Sequence, residues 1–160
     1  MTIATAHKVR PLNEAISWRA RQPGPVVFTN GVFDLVHPGH LELLEAARRE
    51  GNSLVVGVNS DSSVRRLGKG SNRPINGEAA RARVLAGFAA VDCVVLFDAD
   101  TPLDLIQCLA PDVLVKGADY SRDAIVGADV VESKGGRVVR VPLVSGFSTS
   151  SIVERLRASS

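Results

Sequence analysis

The chain has 160 residues, 45% of them hydrophobic and 22% charged, which fits one globular domain of ordinary size with a packed core and excludes a disordered or fibrous chain. Nineteen basic against seventeen acidic side chains leave a formal charge of +2, and five Phe, one Trp and one Tyr are the only aromatics; neither suits a nucleic-acid surface or a stacking platform for single strands. Two cysteines without CxxC spacing (Cys93 and Cys108), no apolar leader and no run near the ~18 apolar residues of a membrane span predict a soluble cytoplasmic protein in a reducing compartment.

In chain order, residues 1–24 predict an N-terminal helical extension, with a helix over Asn13 to Arg21, ahead of a core over 25–157. Short Val-rich runs then alternate with amphipathic segments, the pattern of βαβ units around a parallel sheet. The strands are Val26 to Thr29, Leu54 to Asn59, Cys93 to Phe97, Val113 to Lys116 and Arg137 to Val141. Between and after them, helices are expected over Gly39 to Glu50, Asp61 to Leu67 (a short turn), Glu78 to Ala90, Pro102 to Leu109, Ala124 to Lys134 and Ser148 to Arg157. Gly68 to Asn76 (GKGSNRPIN) has turn residues and no periodicity, so it reads as a mobile loop. The fold class is α/β: a single Rossmann-like domain with a doubly wound five-stranded parallel sheet in the order 3-2-1-4-5 and helices on both faces. Such a sheet puts its ligands outside the carboxyl ends of the first and fourth strands, where the strand order reverses.

Residues suited to chemistry stand at both of those ends. After the first strand comes FTNGVFDLVHPGH, residues 28–40, a strand that turns into a helix opening near Pro38. His37 and His40 therefore meet at a helix N-terminus, where unpaired N–H groups and the helix dipole already favour an anion and each imidazole can add a donor. Gly31 and Gly39, lacking Cβ, let backbone approach a phosphate. The same pair also suits a metal or a plain surface location, but no third Cys, His or carboxylate stands at conventional ligand spacing. The fourth strand ends in Lys116-Gly117-Ala118-Asp119, which sets an ammonium on the opposite lip; a strand-terminal Lys is otherwise simply solvated. Ser148, Thr149, Ser150 and Ser151 open the last helix, more hydroxyls than an N-cap alone needs. Kinase, hydrolase and dehydrogenase readings lose their main support, because there is no GxxxxGK[ST], no GxSxG and no GxGxxG after the first strand.

With FTNGVFDLVHPGH, VGVNSDSSVRRL, RPIN, VDCVVLFDADTP, PDVLVKGADY and GFSTSSI in this order, the chain resembles the HxGH nucleotidyltransferase superfamily from about Val26 to Arg155. Within it, the chain is most similar to the D-glycero-β-D-manno-heptose 1-phosphate adenylyltransferases. The resemblance implies that His37, His40 and Lys116 are catalytic, with the two histidines on the triphosphate and the transition state. It implies a nucleotide site built from Thr29, Asn30, Gly31, Phe33, Gly39, Gly117, Asp119, Ser148, Thr149 and Ser150. The acceptor is expected against the 68–76 loop and its neighbours, with Asn59, Asp61, Arg65, Lys69, Arg73 and Arg81 as its candidate contacts. Relatives often have Gly, Thr and Pro where Ala118, Ser150 and Gly77 stand.

The implied reaction joins AMP from ATP to the sugar 1-phosphate and releases pyrophosphate, in the supply of heptose for lipopolysaccharide core. Mg²⁺ is expected with the ATP, held by its phosphates rather than by a protein cage, with no tightly bound organic cofactor. The expected partners are ATP and a sugar 1-phosphate, another copy of the chain in a dimer or tetramer, and no nucleic acid or membrane. Because 160 residues leave no room for a second enzyme, a separate sugar kinase and phosphatase are expected in the pathway. Two alternatives stay open at this point: a CTP-dependent cytidylyltransferase acting on glycerol 3-phosphate or another polyol phosphate, since HxGH does not read the base, and a non-catalytic nucleotide-sensing domain.

Overall fold

A computed structural model describes residues 4–68, 70 and 72–159. Its five parallel strands are β1 (Val26–Gly31), β2 (Ser53–Asn59), β3 (Cys93–Phe97), β4 (Val113–Gly117) and β5 (Arg137–Val141), ordered β3-β2-β1-β4-β5, as the alternation of apolar runs requires. The described helices are α1 (Leu12–Arg19), α2 (Pro38–Arg49), α3 (Asp61–Arg66), α4 (Glu78–Ala86), α5 (Leu103–Leu109), α6 (Ala128–Ser133) and α7 (Thr149–Ala158).

Side chains alternate across the sheet with a period of two, so each central strand feeds two cores. Val27, Leu54, Val56, Val58, Val113 and Val115 meet Leu44, Leu85 and Ala86 of α2 and α4 on one face. Val26, Phe28, Val55 and Leu114 meet Ala15, Leu105, Ile106 and Val131 of α1, α5 and α6 on the other. β2 is buried along all its length, which is why it reads as a continuous apolar run rather than an alternating one.

Two aspartates align the strands at their N-terminal ends. Asp112 Oδ2 accepts from the Val26 amide at 2.7 Å and from Arg19 at 2.9 Å. Asp92 Oδ2 accepts from the Leu54 amide at 2.8 Å and pairs with Arg48 at 3.1 Å. The outer edge of β3 is covered by the N-terminal segment, where Val9 bridges Val94 and the Arg10 amide donates to the Val94 carbonyl at 2.9 Å.

At the other end of the sheet, the β1–β4 ladder pairs only Val27 with Val113 and Phe28 with Leu114, whereas β1 stays paired with β2 through Gly31. Beyond Phe28, side chains hold β1 to β4. Thr29 Oγ1 donates to the Val115 carbonyl at 2.9 Å, and Lys116 Nζ to the Asn30 carbonyl at 3.2 Å. This is the crevice at the switch point.

Three expectations are corrected. The helix expected over 78–90 ends at Ala86, because Gly87 closes it and tight turns carry the chain through Phe88 to Val91. The one expected over 124–134 begins only at Ala128, since Gly127 takes a left-handed φ of 85° with its Cα against Ile106. In the 68–76 segment, read as mobile, Arg73, Ile75 and Asn76 are tied to Asp34.

Asp112→Ala removes the Val26 acceptor and the Arg19 partner far from the crevice. It should lower unfolding stability by about 1–3 kcal/mol in urea titrations while leaving turnover unchanged.

Candidate active site

His37 is the N-cap of α2, in extended backbone, with Pro38 at the first helical position. Its carbonyl accepts from the His40 amide at 2.9 Å, and the three-residue spacing brings both side chains over the first turn. The two imidazoles stack with ring centroids 3.8 Å apart and planes 25° from parallel. Phe33 lies 5.2 Å from the His40 ring and Phe147 lies 6.4 Å from the His37 ring. A Cβ at Gly39 would sit 3.0 Å from the His37 ring, so glycine there leaves the stack its room.

Burial lowers the pKa of His37. Burial, and then the charge of His37, push His40 down to about 4. Both rings are therefore neutral at pH 7, and the Nδ1 atoms of both are buried without a hydrogen-bond partner among the described residues. An anion brought to the α2 N-terminus would raise both pKa values, since a nearby negative charge favours the imidazolium.

Across the crevice, Lys116 reaches the Asn30 carbonyl and lies 5.5 Å from the Tyr120 ring centroid. A Cβ at Gly117 would come within 2.6 Å of Asp119 and 2.9 Å of Leu143, so this wall too depends on glycine. The third wall is the segment before α7, with Leu143, Val144 and Phe147. Ser148 Oγ accepts from the Ser151 amide at 3.0 Å in a capping box, and Thr149 Oγ1 donates to the Leu35 carbonyl at 3.5 Å.

Together these walls enclose a cleft of about 490 Å³, lined by His37, His40, Lys116 and every residue expected around the nucleotide, from Thr29 to Ser150. Three of those hydroxyls have structural partners already: Thr29 joins β1 to β4, Ser148 caps α7, and Thr149 donates to the Leu35 carbonyl.

The residues expected at the acceptor are not gathered in the same way. Arg73 lines the cleft, but its Nε sits 2.6 Å from the fully buried Asp34 carboxylate, so its charge is largely spent within the protein. Asn59 lines a second pocket of about 210 Å³, and its amide donates to Ser63 Oγ at 3.0 Å. Asp61 and Arg81 pair with each other at 2.8 Å, and Arg81 is only 1% exposed, out of reach of an acceptor. Arg65 is exposed on α3 and lines neither pocket. Lys69 lies outside the described residues.

Several cleft residues escape sequence reasoning. Asp34, inside the motif, has a signal: one carboxylate in the apolar run Val32 to Val36. Leu143 and Val144 lie outside the quoted motifs, Tyr120 and Phe147 stand in PDVLVKGADY and GFSTSSI without an expected role, and the four become a wall only through tertiary placement. The second pocket shares Asn30, Gly31, Val32, Lys116 and Tyr120 with the first, and adds Asp100, Thr101, Pro102 and Val126. Among the described residues no three His, Cys, Asp or Glu side chains are grouped to hold a metal ion, and no described helix is long and apolar enough to cross a membrane.

An α/β sheet whose switch point carries paired imidazoles at a helix N-terminus, a lysine opposite and a hydroxyl-rich helix start is the architecture of a protein that takes a phosphorylated ligand such as a nucleotide. Comparison with known proteins agrees. The profile of the Cytidylyltransferase-like family matches residues 28–155, and the chain belongs to that family. It is 59% identical over 142 residues to the bifunctional protein HldE of Gluconobacter oxydans, covering 89% of this chain and 29% of that protein. To the bifunctional protein HldE of Mesorhizobium japonicum it is 54% identical over 161 residues, covering 98% of this chain and 32% of that protein. The chain thus spans less than a third of the length of these curated relatives. Among solved structures, a lipopolysaccharide core biosynthesis protein from Thermoplasma volcanium matches with a TM-score of 0.63 at 27% identity, over 76% of this chain and 98% of that one. Pantothenate synthetase from Thermus thermophilus, at 21% identity and a TM-score of 0.62 over 94% of this chain and 70% of that one, shares the fold.

The His40 pKa has a consequence for stability. The folded state holds the ring neutral down to about pH 4, whereas the unfolded chain protonates it near 6.5. As pH falls, the unfolded state binds the proton first, so stability is lost from about 6.5 down to about 4. Denaturation midpoints of wild type and His40→Asn should converge over that window as wild type loses its advantage; parallel pH curves would contradict the assigned ring environment.

Proposed function

We propose that the protein transfers AMP from ATP to D-glycero-β-D-manno-heptose 1-phosphate, giving ADP-heptose and pyrophosphate, within the supply of heptose for lipopolysaccharide core. The observation that carries this reading is the stacked His37–His40 pair at the α2 N-terminus facing Lys116 across a single cleft. The identity to the HldE proteins and the likeness to a lipopolysaccharide core biosynthesis protein support the choice of acceptor.

A sugar 1-phosphate is anionic at neutral pH and needs no general base. One of its oxygens attacks the α-phosphorus of ATP, a new P–O bond forms, and the bond to the bridging oxygen breaks, with its electron pair leaving on pyrophosphate. The protein's part is to bring two mutually repelling anions together and to stabilise the charge that accumulates on the departing group. The α2 N-terminus and the His pair meet the triphosphate, and the approach of that charge converts neutral rings into better donors. Lys116, on the wall common to both pockets, stands where α-phosphate and acceptor phosphate meet. Mg²⁺ enters with the ATP as part of the substrate, coordinated by its phosphates.

In this reading the nucleotide occupies the larger cleft, against the apolar wall of Leu143, Val144 and Phe147, and the acceptor occupies the smaller pocket. There Asn59, Asp100 and Thr101 offer hydrogen-bonding groups to sugar hydroxyls, and Val126 and Pro102 offer apolar surface.

Pyrophosphate release should be seen with ATP and heptose 1-phosphate, and not with CTP or glycerol 3-phosphate. Release only with CTP and a polyol phosphate would replace the proposed reaction by a cytidylyl transfer, and no release with any pair would leave a nucleotide-binding role. His37→Ala and His40→Ala should each lose about a hundredfold or more in kcat with the fold intact by circular dichroism; near-normal turnover in both would remove the catalytic assignment. Val126→Trp, which fills the smaller pocket, should raise the KM for the sugar phosphate about tenfold or more while leaving the KM for ATP within about twofold. An equal rise in both would place the acceptor elsewhere.

A further inference from the structure

Arg81 is the largest fully buried side chain described, and it occupies the first turn of α4, where the helix dipole disfavours a cation. A guanidinium in such a place demands partners, and it has three. Nη1 donates to the Val32 carbonyl at 2.6 Å, Nε to the Asn76 carbonyl at 2.9 Å and Nη2 to Asp61 Oδ1 at 2.8 Å. Asp61 is itself fixed, because its amide donates to Glu78 Oε2 at 2.7 Å. Buried ion pairs of this kind are weak devices for stability, since apolar packing serves as well or better. What this one does is join three segments to the turn between β1 and α2.

That turn is strained. Phe33 has a φ of 50°, a left-handed conformation unusual for a bulky residue. Its ring is buried, lies 5.2 Å from the His40 ring and would stand 3.1 Å from a Cβ at Gly31. The residues on either side of it are both held. Before it, the Val32 carbonyl is bound by Arg81. After it, Asp34 accepts from Arg73 Nε and from the amides of Ile75 and Asn76, while its carbonyl accepts from Asn76 Nδ2 at 3.0 Å. Asn76 belongs to both sets, as the acceptor of Arg81 and as a donor to Asp34.

We infer that Arg81, through Val32 and Asn76, is a positioning residue that clamps the left-handed Phe33 turn and thereby seats His40 against His37 for nucleotidyl transfer. Arg81 and Asn76 line neither pocket; the effect of the clamp on turnover rests on the catalytic reading of the His pair given above, and its effect on the stack does not.

Arg81→Lys keeps the charge but lacks the fork that reaches three acceptors at once. In this variant of the full chain, kcat should fall about tenfold or more, as a small misplacement of reacting groups allows, with the KM for ATP changed less than about threefold. The His40 imidazole, followed by NMR titration, should move from about 4 toward 6.5 as the turn relaxes and the ring gains solvent. A folded Arg81→Lys protein with wild-type kcat and an unmoved His40 titration would overturn the clamp. Should that variant not fold, Asn76→Ala is read instead: it deletes the Asn76 bond to the Asp34 carbonyl while leaving the Arg81–Asp61 pair in place. A smaller loss of kcat and a His40 shift in the same direction are expected, and no change in either would equally overturn the inference. Failure of the catalytic reading would show separately, as turnover in His37→Ala and His40→Ala with the His40 response to Arg81→Lys retained.

Discussion

The parting of β1 from β4 after Phe28 is the constraint on which the cleft depends. Upstream, β1 lies in a continuous parallel ladder, and Asp112 sets its starting register against β4. Downstream, the two strands have no ladder bonds, and the helices that follow them leave on opposite faces of the sheet. An opening in a buried sheet leaves backbone groups to be satisfied, and here side chains satisfy them: Thr29 reaches Val115, and Lys116 reaches Asn30. The ammonium that lines the cleft is thus placed by the same bond that closes the gap.

Positive potential in this protein is local. A formal charge of +2 over 160 residues provides no field to speak of, and the two histidines are neutral in the resting cleft because burial outweighs their basicity. The helix N-terminus and Lys116 supply the fixed part, and the imidazoles supply a part that grows when a phosphate arrives. Such a cleft holds no cluster of mutually repelling cations at rest. Arg73, an obvious cation in sequence, contributes less than its charge suggests, because Asp34 has already paired with it.

Asp34, Asn76 and Arg81 show a different use of charge. Asp34 and Arg81 are buried and Asn76 is exposed, each is hydrogen-bonded, and together they hold a turn whose backbone is unfavourable for Phe33. The strain is local, and the partners that hold it come from α3, α4 and the 73–76 segment, distant in sequence but adjacent across the end of β1. A cation in the first turn of a helix contradicts local preference, and such contradictions collect around functional sites.

From sequence alone, the Val-rich runs, the spacing of the amphipathic segments and the position of HPGH determined the strand order, the two helical faces and the end of the sheet that carries the site. Those are properties of hydrophobic period and of chain direction, which neighbouring residues fix among themselves. The helix boundaries at Ala86 and Ala128 were less legible, since they depend on a tight turn at Gly87 and on the packing of Gly127 against Ile106. The roles of Asn59, Asp61 and Arg81 were not legible either. An arginine near a phosphate-binding motif has the same letter whether it faces solvent, a substrate or a buried carbonyl; only the tertiary structure, by enclosing Arg81 between Val32, Asn76 and Asp61, decided among them. The apolar wall from Tyr120 and from Leu143 to Phe147 belongs to the same category, because it forms where β4 and the segment after β5 approach each other, and no period along the chain records that approach.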